Sequence, residues 1–394
     1  MLSLRHAAVV ALLLLAARPV RSEDKAEPDR QKMLTFLAEE QAPNGSWGPK
    51  KGVPEIGITA LVAKAVHECD APKDMAAKQK EMVEKAVDFI LKSQQKDGSF
   101  SPDMSLGTYR TAIAVLCLCS VDRAKYADQI KQGTKWLESA QFSEDTKVSK
   151  DSPHYGGWGY DKKGEKPDAD LSNAQWAIAA LKEAGVSKDD PVMKRAVEFV
   201  ARCQNDTETN KGNAEAKLKP TNDHGFFYGP TRATQKQTEI DNEDGTKSYE
   251  SYASMTYAGL TSLVYATDDK KDPRIKAALK WIEAHYTLDE NYGLGVRAKD
   301  PKAAQVGLYY YYLTFAKALS ALGENEVQTA SGKKAWAKDL LAALAARQKA
   351  DGSFVNEADR YMEGIPVLCT AYALSATNLA LKHVPGKCTL ARFV

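Results

Sequence analysis

Apolar and polar positions divide this chain of 394 residues into two kinds of segment that alternate. The first kind is amphipathic: EMVEKAVDFILKSQ places Val83, Val87 and Ile90 on one stripe with charged residues opposite, which predicts a half-exposed helix. The second kind, such as YASMTYAGLTSLVYA, is apolar nearly all round, which predicts a helix buried on all sides. Six segments of each kind follow one another, so we expect six pairs of one outer and one inner helix.

A short phrase, Q-x-x-[DN]-G-S-[WF], recurs at the junctions within these pairs. It stands in full at residues 41–47, 94–100 and 348–354, and in degenerate form at residues 156–161, 224–229 and 291–295. Its glycines, roughly 50 to 70 residues apart, are Gly45, Gly98, Gly157, Gly225, Gly293 and Gly352. An Asn-Gly or Asp-Gly pair takes positive φ and ends the outer helix, while the Gln amide is expected to bond backbone groups left free at helix ends. We therefore interpret the phrase as a structural clamp.

Repeated helix pairs form either an open superhelix or a closed ring. An open solenoid needs polar capping repeats at its two ends. Neither the first inner segment, IGITALVAKAVHE, nor the last, GIPVLCTAYALSATNLAL, is more polar than its neighbours. The sequence thus favours the ring, an all-α α6/α6 toroid with six helix pairs around a central cavity.

The first residues differ from the rest of the chain. A basic start is followed by an apolar run from Ala7 to Ala17 and by the small or short residues Val20 and Ser22, a pattern typical of a secretory signal peptide. We expect a signal peptide over residues 1–22, cleaved near Ser22, and a toroid domain over residues 23–394. The expected localisation is therefore periplasmic or extracellular, and no other segment reaches transmembrane length.

Charge and cysteine content restrict the possible partners and cofactors. With 54 basic and 52 acidic side chains the formal net charge is +2, so no nucleic-acid partner is expected. The six cysteines match no zinc pattern. Cys69 ends the first inner segment and Cys388 follows the last, and these segments are neighbours in a closed ring. Since export permits disulfides, we expect a Cys69–Cys388 bond.

The repeats resemble the QW-type repeats of terpenoid cyclases, such as squalene–hopene cyclase, and of protein prenyltransferase β-subunits, over roughly residues 30–382. The cyclases carry an Asp-x-Asp-Asp-Thr run whose central Asp protonates an alkene. At the corresponding place this chain reads PDADLSNAQ, in which Asp168 and Asp170 match the first two acids. Leu171 and Ser172 replace the third acid and the threonine.

The resemblance makes Asp170 the candidate catalytic acid, with Asp168 beside it. The strength of such an acid depends on the groups that hydrogen-bond to it, and Leu171 removes the neighbouring carboxylate. An aspartate before a helix is equally an ordinary N-cap. Both interpretations of this incomplete motif stay open, and with them the question of whether the chain is an enzyme.

The prenyltransferases imply a zinc site made of Asp, Cys and His. Cys369 lies inside the last inner segment, and no histidine stands near it in the sequence. We therefore expect no metal and no cofactor.

In a ring of this kind the starts of the inner helices surround one mouth of the cavity. Cavities rich in aromatic side chains with a few polar groups are typical of ligand sites. The predicted ligand-binding residues are Tyr109, Trp176, Tyr252, Tyr257, Tyr309, Tyr312, Glu363 and Tyr372. Within the run of tyrosines at 309–312, at least two must face away from the axis.

Three functions compete. The first is a terpenoid-cyclase-like toroid that binds an apolar, polyprenyl- or lipid-like molecule, with cyclase or isomerase activity if it is an enzyme. The second is a non-catalytic scaffold that binds a partner protein. The third is a carbohydrate-active toroid, for which paired carboxylates such as Glu250 and Glu363 have to face each other.

Overall fold

The computed structural model describes residues 27–103, 105–160, 167–210, 216–231, 237–295 and 302–386. The predicted signal peptide over residues 1–22 and Cys388 lie outside these ranges. Cleavage near Ser22 and the disulfide between Cys69 and Cys388 therefore stay predictions.

The described residues form twelve α-helices in two layers. The outer helices are α1 (Arg30–Glu40), α3 (Ala76–Lys92), α5 (Ala127–Ala140), α7 (Pro191–Arg202), α9 (Pro273–His285) and α11 (Trp336–Arg347). The inner helices are α2 (Ile56–His67), α4 (Gly107–Asp122), α6 (Leu171–Glu183), α8 (Ala253–Thr267), α10 (Leu308–Leu322) and α12 (Pro366–Leu381). Inner helices such as α8 and α12 bury nearly every residue, whereas outer helices such as α3 bury one stripe, as the hydrophobic pattern predicts.

Two short hairpins interrupt the helical repeat. In the first, β1 (Glu239–Asp241) pairs antiparallel with β2 (Lys247–Tyr249) between α7 and α8. In the second, β3 (Val327–Thr329) pairs antiparallel with β4 (Gly332–Lys334) between α10 and α11.

The inner helices close into a ring. Each packs against the next along the chain from α2 to α12, and α12 in turn packs against α2. In the outer layer, the end of α11 is tied to the start of α1, because Gln348 is hydrogen-bonded to the backbone of Asp29. Closure gives every inner helix two inner neighbours, so no polar capping repeat is required. The predicted α/α toroid is confirmed.

The glutamine of the repeated phrase joins consecutive outer helices. Its Nε2 donates to the carbonyl of its own turn's glycine and to a carbonyl near the start of the next outer helix. These pairs of acceptors are Gly45 and Met82 for Gln41, Gly98 and Gln129 for Gln94, Gly156 and Val192 for Gln141, and Gly352 and Asp29 for Gln348. The predicted clamp is therefore confirmed, and it reaches the next repeat as well as its own turn.

The glycine of the phrase lies directly against the next outer helix. Gly45 has a φ of +87°, and a β-carbon there would overlap the carbonyl of Lys85 in α3. In the third unit this role belongs to Gly156, with a φ of +83°, and not to Gly157 as expected. In the fourth unit His224 takes positive φ in place of the expected Gly225. In these two degenerate phrases the positive-φ residue is thus shifted by one position, whereas the fifth unit keeps it at the expected Gly293, with a φ of +93°.

Candidate functional site

One end of the ring, where the inner helices start, opens into a cavity of about 320 Å³. Its aromatic lining residues are Tyr109, Tyr160, Trp176, Tyr228, Tyr252, Tyr310, Tyr361 and Tyr372. Its other apolar lining residues are Ile58, Leu106, Met255, Met362 and Leu368, and its polar ones are Glu55, Ser172, Asn173, Ser254 and Asn291. The cavity is therefore an aromatic chamber with a few polar groups, the usual composition of a small-molecule site.

Four of the predicted ligand-binding residues line this cavity: Tyr109, Trp176, Tyr252 and Tyr372. The rings of Tyr109 and Trp176 meet edge to face with centroids 6.3 Å apart. Tyr310 and Tyr372 meet in the same way at 6.0 Å. Such contacts fix the orientation of the ring faces that a ligand would meet.

Three of the other predicted residues lie outside the cavity lining. Tyr312 donates its hydroxyl to the carbonyl of Leu288 at 2.6 Å, in the loop after α9. The ring of Tyr309 packs 5.6 Å from that of Phe354, and the ring of Tyr257 packs 4.9 Å from that of Phe315. Successive residues of a helix point about 100° apart, so the start of α10 cannot direct all its tyrosines to the axis.

Within that run, Tyr310 is the tyrosine that faces the cavity. Periodicity alone shows that some of the four turn away, but it leaves the rotation of α10 undecided. The packing of α10 against α8 and α12 settles that rotation.

Glu363 holds the segment after α11 against the start of α10. Its carboxylate accepts hydrogen bonds from the backbone N–H of Tyr310 at 2.8 Å and from Asn356 Nδ2 at 2.6 Å. Complete burial raises the pKa of Glu363 to about 7, although these hydrogen bonds act in the opposite direction. Neither Glu363 nor Glu250 is among the cavity-lining residues, so the two carboxylates do not face each other across the cavity.

Asp170 is the N-cap of α6. One of its carboxylate oxygens accepts from the backbone N–H of Asn173 at 2.8 Å, and the other accepts from Asn173 Nδ2 at 2.9 Å. The side chain is fully buried, yet it is not among the lining residues. Asp168 is exposed and likewise lies outside the lining.

Among the described lining residues, Glu55 carries the single carboxylate. Its Oε1 accepts from Arg110 Nε at 2.8 Å, and its Oε2 caps α2 by accepting from the backbone N–H of Ile58. Arg110 also pairs with Asp103. This carboxylate is held by an ion pair and a helix cap. Neither interaction directs a proton toward a ligand, as a general acid has to do.

The loop residues at the mouth were missed by sequence reasoning. Tyr160, Tyr361 and Met362 are large, exposed hydrophobic residues that line the cavity entrance. Leu106, at the start of α4, and Tyr361 both have positive φ. Loops carry no periodic pattern, so the sequence contains no signal that brings these residues together.

The described residues contain no group of three or more His, Cys, Asp or Glu side chains arranged to hold a metal ion. Within the same ranges, every helix is too short or too polar to cross a membrane.

Comparisons with known protein families match both halves of the chain. The model of the squalene–hopene cyclase C-terminal domain matches residues 6–106 and 76–228. The model of the prenyltransferase α/α toroid domain matches residues 165–393. No curated protein matches the sequence significantly.

Solved structures share the architecture at low identity. The type II terpene cyclase MstE from Scytonema matches with a TM-score of 0.52 and 11% identity, over 90% of this chain and 97% of its own. An MstE variant was solved with its substrate, geranylgeranyl dihydroxybenzoate, and matches with a TM-score of 0.51 and 12% identity, over 90% of this chain and 96% of its own. The GH76A α-1,6-mannanase from Salegentibacter sp. HEL1_6 matches with a TM-score of 0.53 and 10% identity, over 89% of this chain and 100% of its own. At these identities the likeness shows a common fold alone.

Proposed function

This chain belongs to the α/α toroid family of prenyltransferases and squalene–hopene cyclases, and we propose that it binds an apolar, chain-like small molecule in its central cavity. The observation that carries the proposal is the lining: eight aromatic rings and five aliphatic or methionine side chains surround about 320 Å³. Transfer of apolar surface from water into such a chamber is favourable by roughly 25 cal/mol per Å². A polyprenyl- or lipid-like molecule suits this chemistry.

Binding, rather than cyclisation through Asp170, is the part of the family's chemistry that we assign. A general acid must direct an O–H toward the reacting carbon. Asp170 lies outside the cavity lining, and its carboxylate caps α6 by accepting two hydrogen bonds from Asn173. With Leu171 in place of a second acid, no carboxylate neighbours it in the motif.

A carbohydrate hydrolase of this fold fits the lining less well. Glycoside hydrolysis uses two carboxylates on either side of the scissile bond. The described lining contributes Glu55 alone, and Arg110 is paired with it. The mannanase therefore shares the ring with this chain, and the aromatic chamber favours an apolar ligand.

We also propose that the protein is exported and binds its ligand outside the cytoplasm. This rests on the signal-peptide pattern of residues 1–22, with its basic start and apolar run before Ser22. Sequencing the N-terminus of the protein secreted by its host tests the point. An N-terminus near Glu23 is expected, and an intact Met1 on a cytoplasmic protein contradicts it.

Native mass spectrometry of the protein purified from its host tests the binding proposal. We expect a co-purified apolar molecule, and the delipidated protein should take up added farnesol. Met255→Trp places a bulky ring in the chamber and should abolish uptake, whereas Val53→Trp adds the same ring at an exposed position outside the lining and should not. An oligosaccharide retained in place of an apolar molecule, or uptake by M255W equal to that of the unchanged protein, would contradict the proposal.

A further inference from the structure

A chain of hydrogen bonds runs from a lysine below the cavity to a hydroxyl pair in its wall. Lys317 Nζ donates to Gln175 Oε1 at 2.8 Å and lies 4.3 Å from the centre of the Trp176 ring. Gln175 Nε2 donates to the hydroxyl of Tyr310 at 3.3 Å. That hydroxyl lies 3.1 Å from Ser172 Oγ. Tyr310 and Ser172 both line the cavity, but Lys317 and Gln175 do not.

The lysine sets the direction of this chain. Below its lowered pKa of about 7 Lys317 is an ammonium with donors and no acceptor, so Gln175 then turns its carbonyl oxygen toward Lys317 and its amide N–H toward Tyr310. The Tyr310 oxygen then accepts from Gln175, and its own hydrogen is left for Ser172 or for a ligand. Burial raises the pKa of Tyr310, so the hydroxyl keeps that hydrogen at neutral pH. The wall therefore offers an O–H donor to the cavity.

The neighbouring residue offers an acceptor. Asn173 also lines the cavity, is 1% exposed, and donates its Nδ2 to Asp170. Its Oδ1 is buried, and no described residue donates to it. A buried acceptor without a donor is costly, so a ligand group that donates to Asn173 gains by satisfying it.

We propose that the start of α6 is a recognition site for a hydroxyl group at one end of the apolar ligand. The ligand oxygen accepts from the Tyr310–Ser172 pair, and the ligand hydrogen is donated to Asn173 Oδ1. Gln175 and Lys317 are positioning residues, because they fix the direction in which Tyr310 donates without touching the ligand. The assignment rests on the proposed function and narrows the class of ligand to amphipathic alcohols.

The test compares farnesol with farnesene, which share an isoprenoid skeleton and differ in the terminal hydroxyl. Dissociation constants are measured by fluorescence titration of the full-length protein. We expect farnesol to bind about tenfold more tightly than farnesene, as one or two net hydrogen bonds provide. Tyr310→Phe should weaken farnesol binding roughly three- to tenfold and leave farnesene binding unchanged. The control Tyr309→Phe removes the neighbouring hydroxyl, outside the lining, and should change neither constant.

The variant Gln175→Glu tests whether ligand binding depends on the direction of the hydrogen bond between residue 175 and Tyr310, and not only on their contact. A glutamate at this position still accepts from Lys317 but no longer donates, so Tyr310 turns its hydrogen to the new carboxylate and away from the cavity. Farnesol binding should fall as in Tyr310→Phe while farnesene binding is kept, and retained farnesene binding also shows that the variant is folded.

Equal affinities for farnesol and farnesene, or a loss of both ligands together in Tyr310→Phe, would overturn hydroxyl recognition while leaving an apolar cavity in place. If the unchanged protein binds neither molecule, the proposed function itself is wrong and the inference is overturned with it.

Discussion

The side chain of Gln348 exchanges two hydrogen bonds with the backbone of Asp29: Asp29 N–H donates to Oε1 at 2.7 Å, and Nε2 donates to the Asp29 carbonyl at 2.9 Å. The two residues stand 319 positions apart, one after the last outer helix and one before the first. The same glutamine that joins consecutive repeats elsewhere thus joins the two ends of the ring.

We expect Gln348→Ala to lower the free energy of unfolding by about 1–3 kcal/mol, since three backbone groups, the N–H and C=O of Asp29 and the C=O of Gly352, lose this partner. Chemical denaturation followed by circular dichroism measures the change. Gln132→Ala is the matched control, because Gln132 is exposed in the middle of α5 and its side chain makes no described hydrogen bond. A loss of stability in Gln348→Ala no greater than in the control would show that the closing contact contributes nothing.

Gly45 and Gly52 form a second matched pair. Both have positive φ, +87° and +83°. A β-carbon at Gly45 overlaps the backbone of Lys85, whereas a β-carbon at Gly52 meets nothing within 4 Å. We therefore expect Gly52→Ala to cost about 1–2 kcal/mol from backbone strain, and Gly45→Ala to cost clearly more. Thermal unfolding of both variants measures the difference. Equal losses of stability would show that the close approach of the Gly45 turn to α3 adds nothing to the cost of Gly45→Ala.

Substitution of Asp170 distinguishes a helix cap from a catalytic acid. Asn is as good an N-cap as Asp, so Asp170→Asn should keep most of the stability and the binding of a ligand without a hydroxyl, such as farnesene. Asp170→Ala removes both acceptors used by Asn173 and should cost about 1–2 kcal/mol. The opposite result would identify Asp170 as an acid catalyst: the unchanged protein converts a polyprenyl substrate, and Asp170→Asn does not.

Lys317 makes stability depend on pH in the alkaline range. Burial, with a smaller contribution from Lys64, lowers the pKa of Lys317 to about 7, and Glu183 acts in the opposite direction. Between that value and the ordinary pKa of lysine near 10.4, the unfolded chain binds more protons than the folded one, so the free energy of unfolding should rise with pH.

Lys317→Met should remove this rise, which amounts to about 2 kcal/mol at most between pH 7 and pH 9. Urea denaturation at several pH values, with the two proteins compared at each, measures it. Parallel stability curves for the two proteins would mean that the lysine titrates near its ordinary pKa.

Much of the fold followed from local patterns. The amphipathic segments and the fully apolar segments became the outer and inner helices, because each pattern fits one kind of burial. The repeated glutamine and glycine marked the turns, and the absence of polar end repeats indicated closure. The predicted position of the positive-φ residue was wrong at Gly157 and Gly225, where the preceding residue takes positive φ instead. The degenerate phrases do not show which residue of the turn has this conformation.

The candidate site was predicted only in part. Tyr109, Trp176, Tyr252 and Tyr372 reach the cavity because they lie on the axis-facing side near the starts of inner helices. The rotation of α10 about its own axis was not predictable, since that helix is apolar on every side and carries no polar face to orient it. Its tyrosines at 309 and 312 therefore could not be separated from Tyr310 in advance.

The sequence by itself determined the number, kind and order of the helices, because burial and helix ends depend on residues near one another in the chain. Tertiary structure decided which side chains meet: Tyr310 with Ser172 across the cavity, Lys317 with Gln175 beneath it, and the loop residues Tyr361 and Met362 at its mouth. These contacts join elements far apart in sequence, and the rotation and packing of whole helices fix them. Local periodicity carries no information about either.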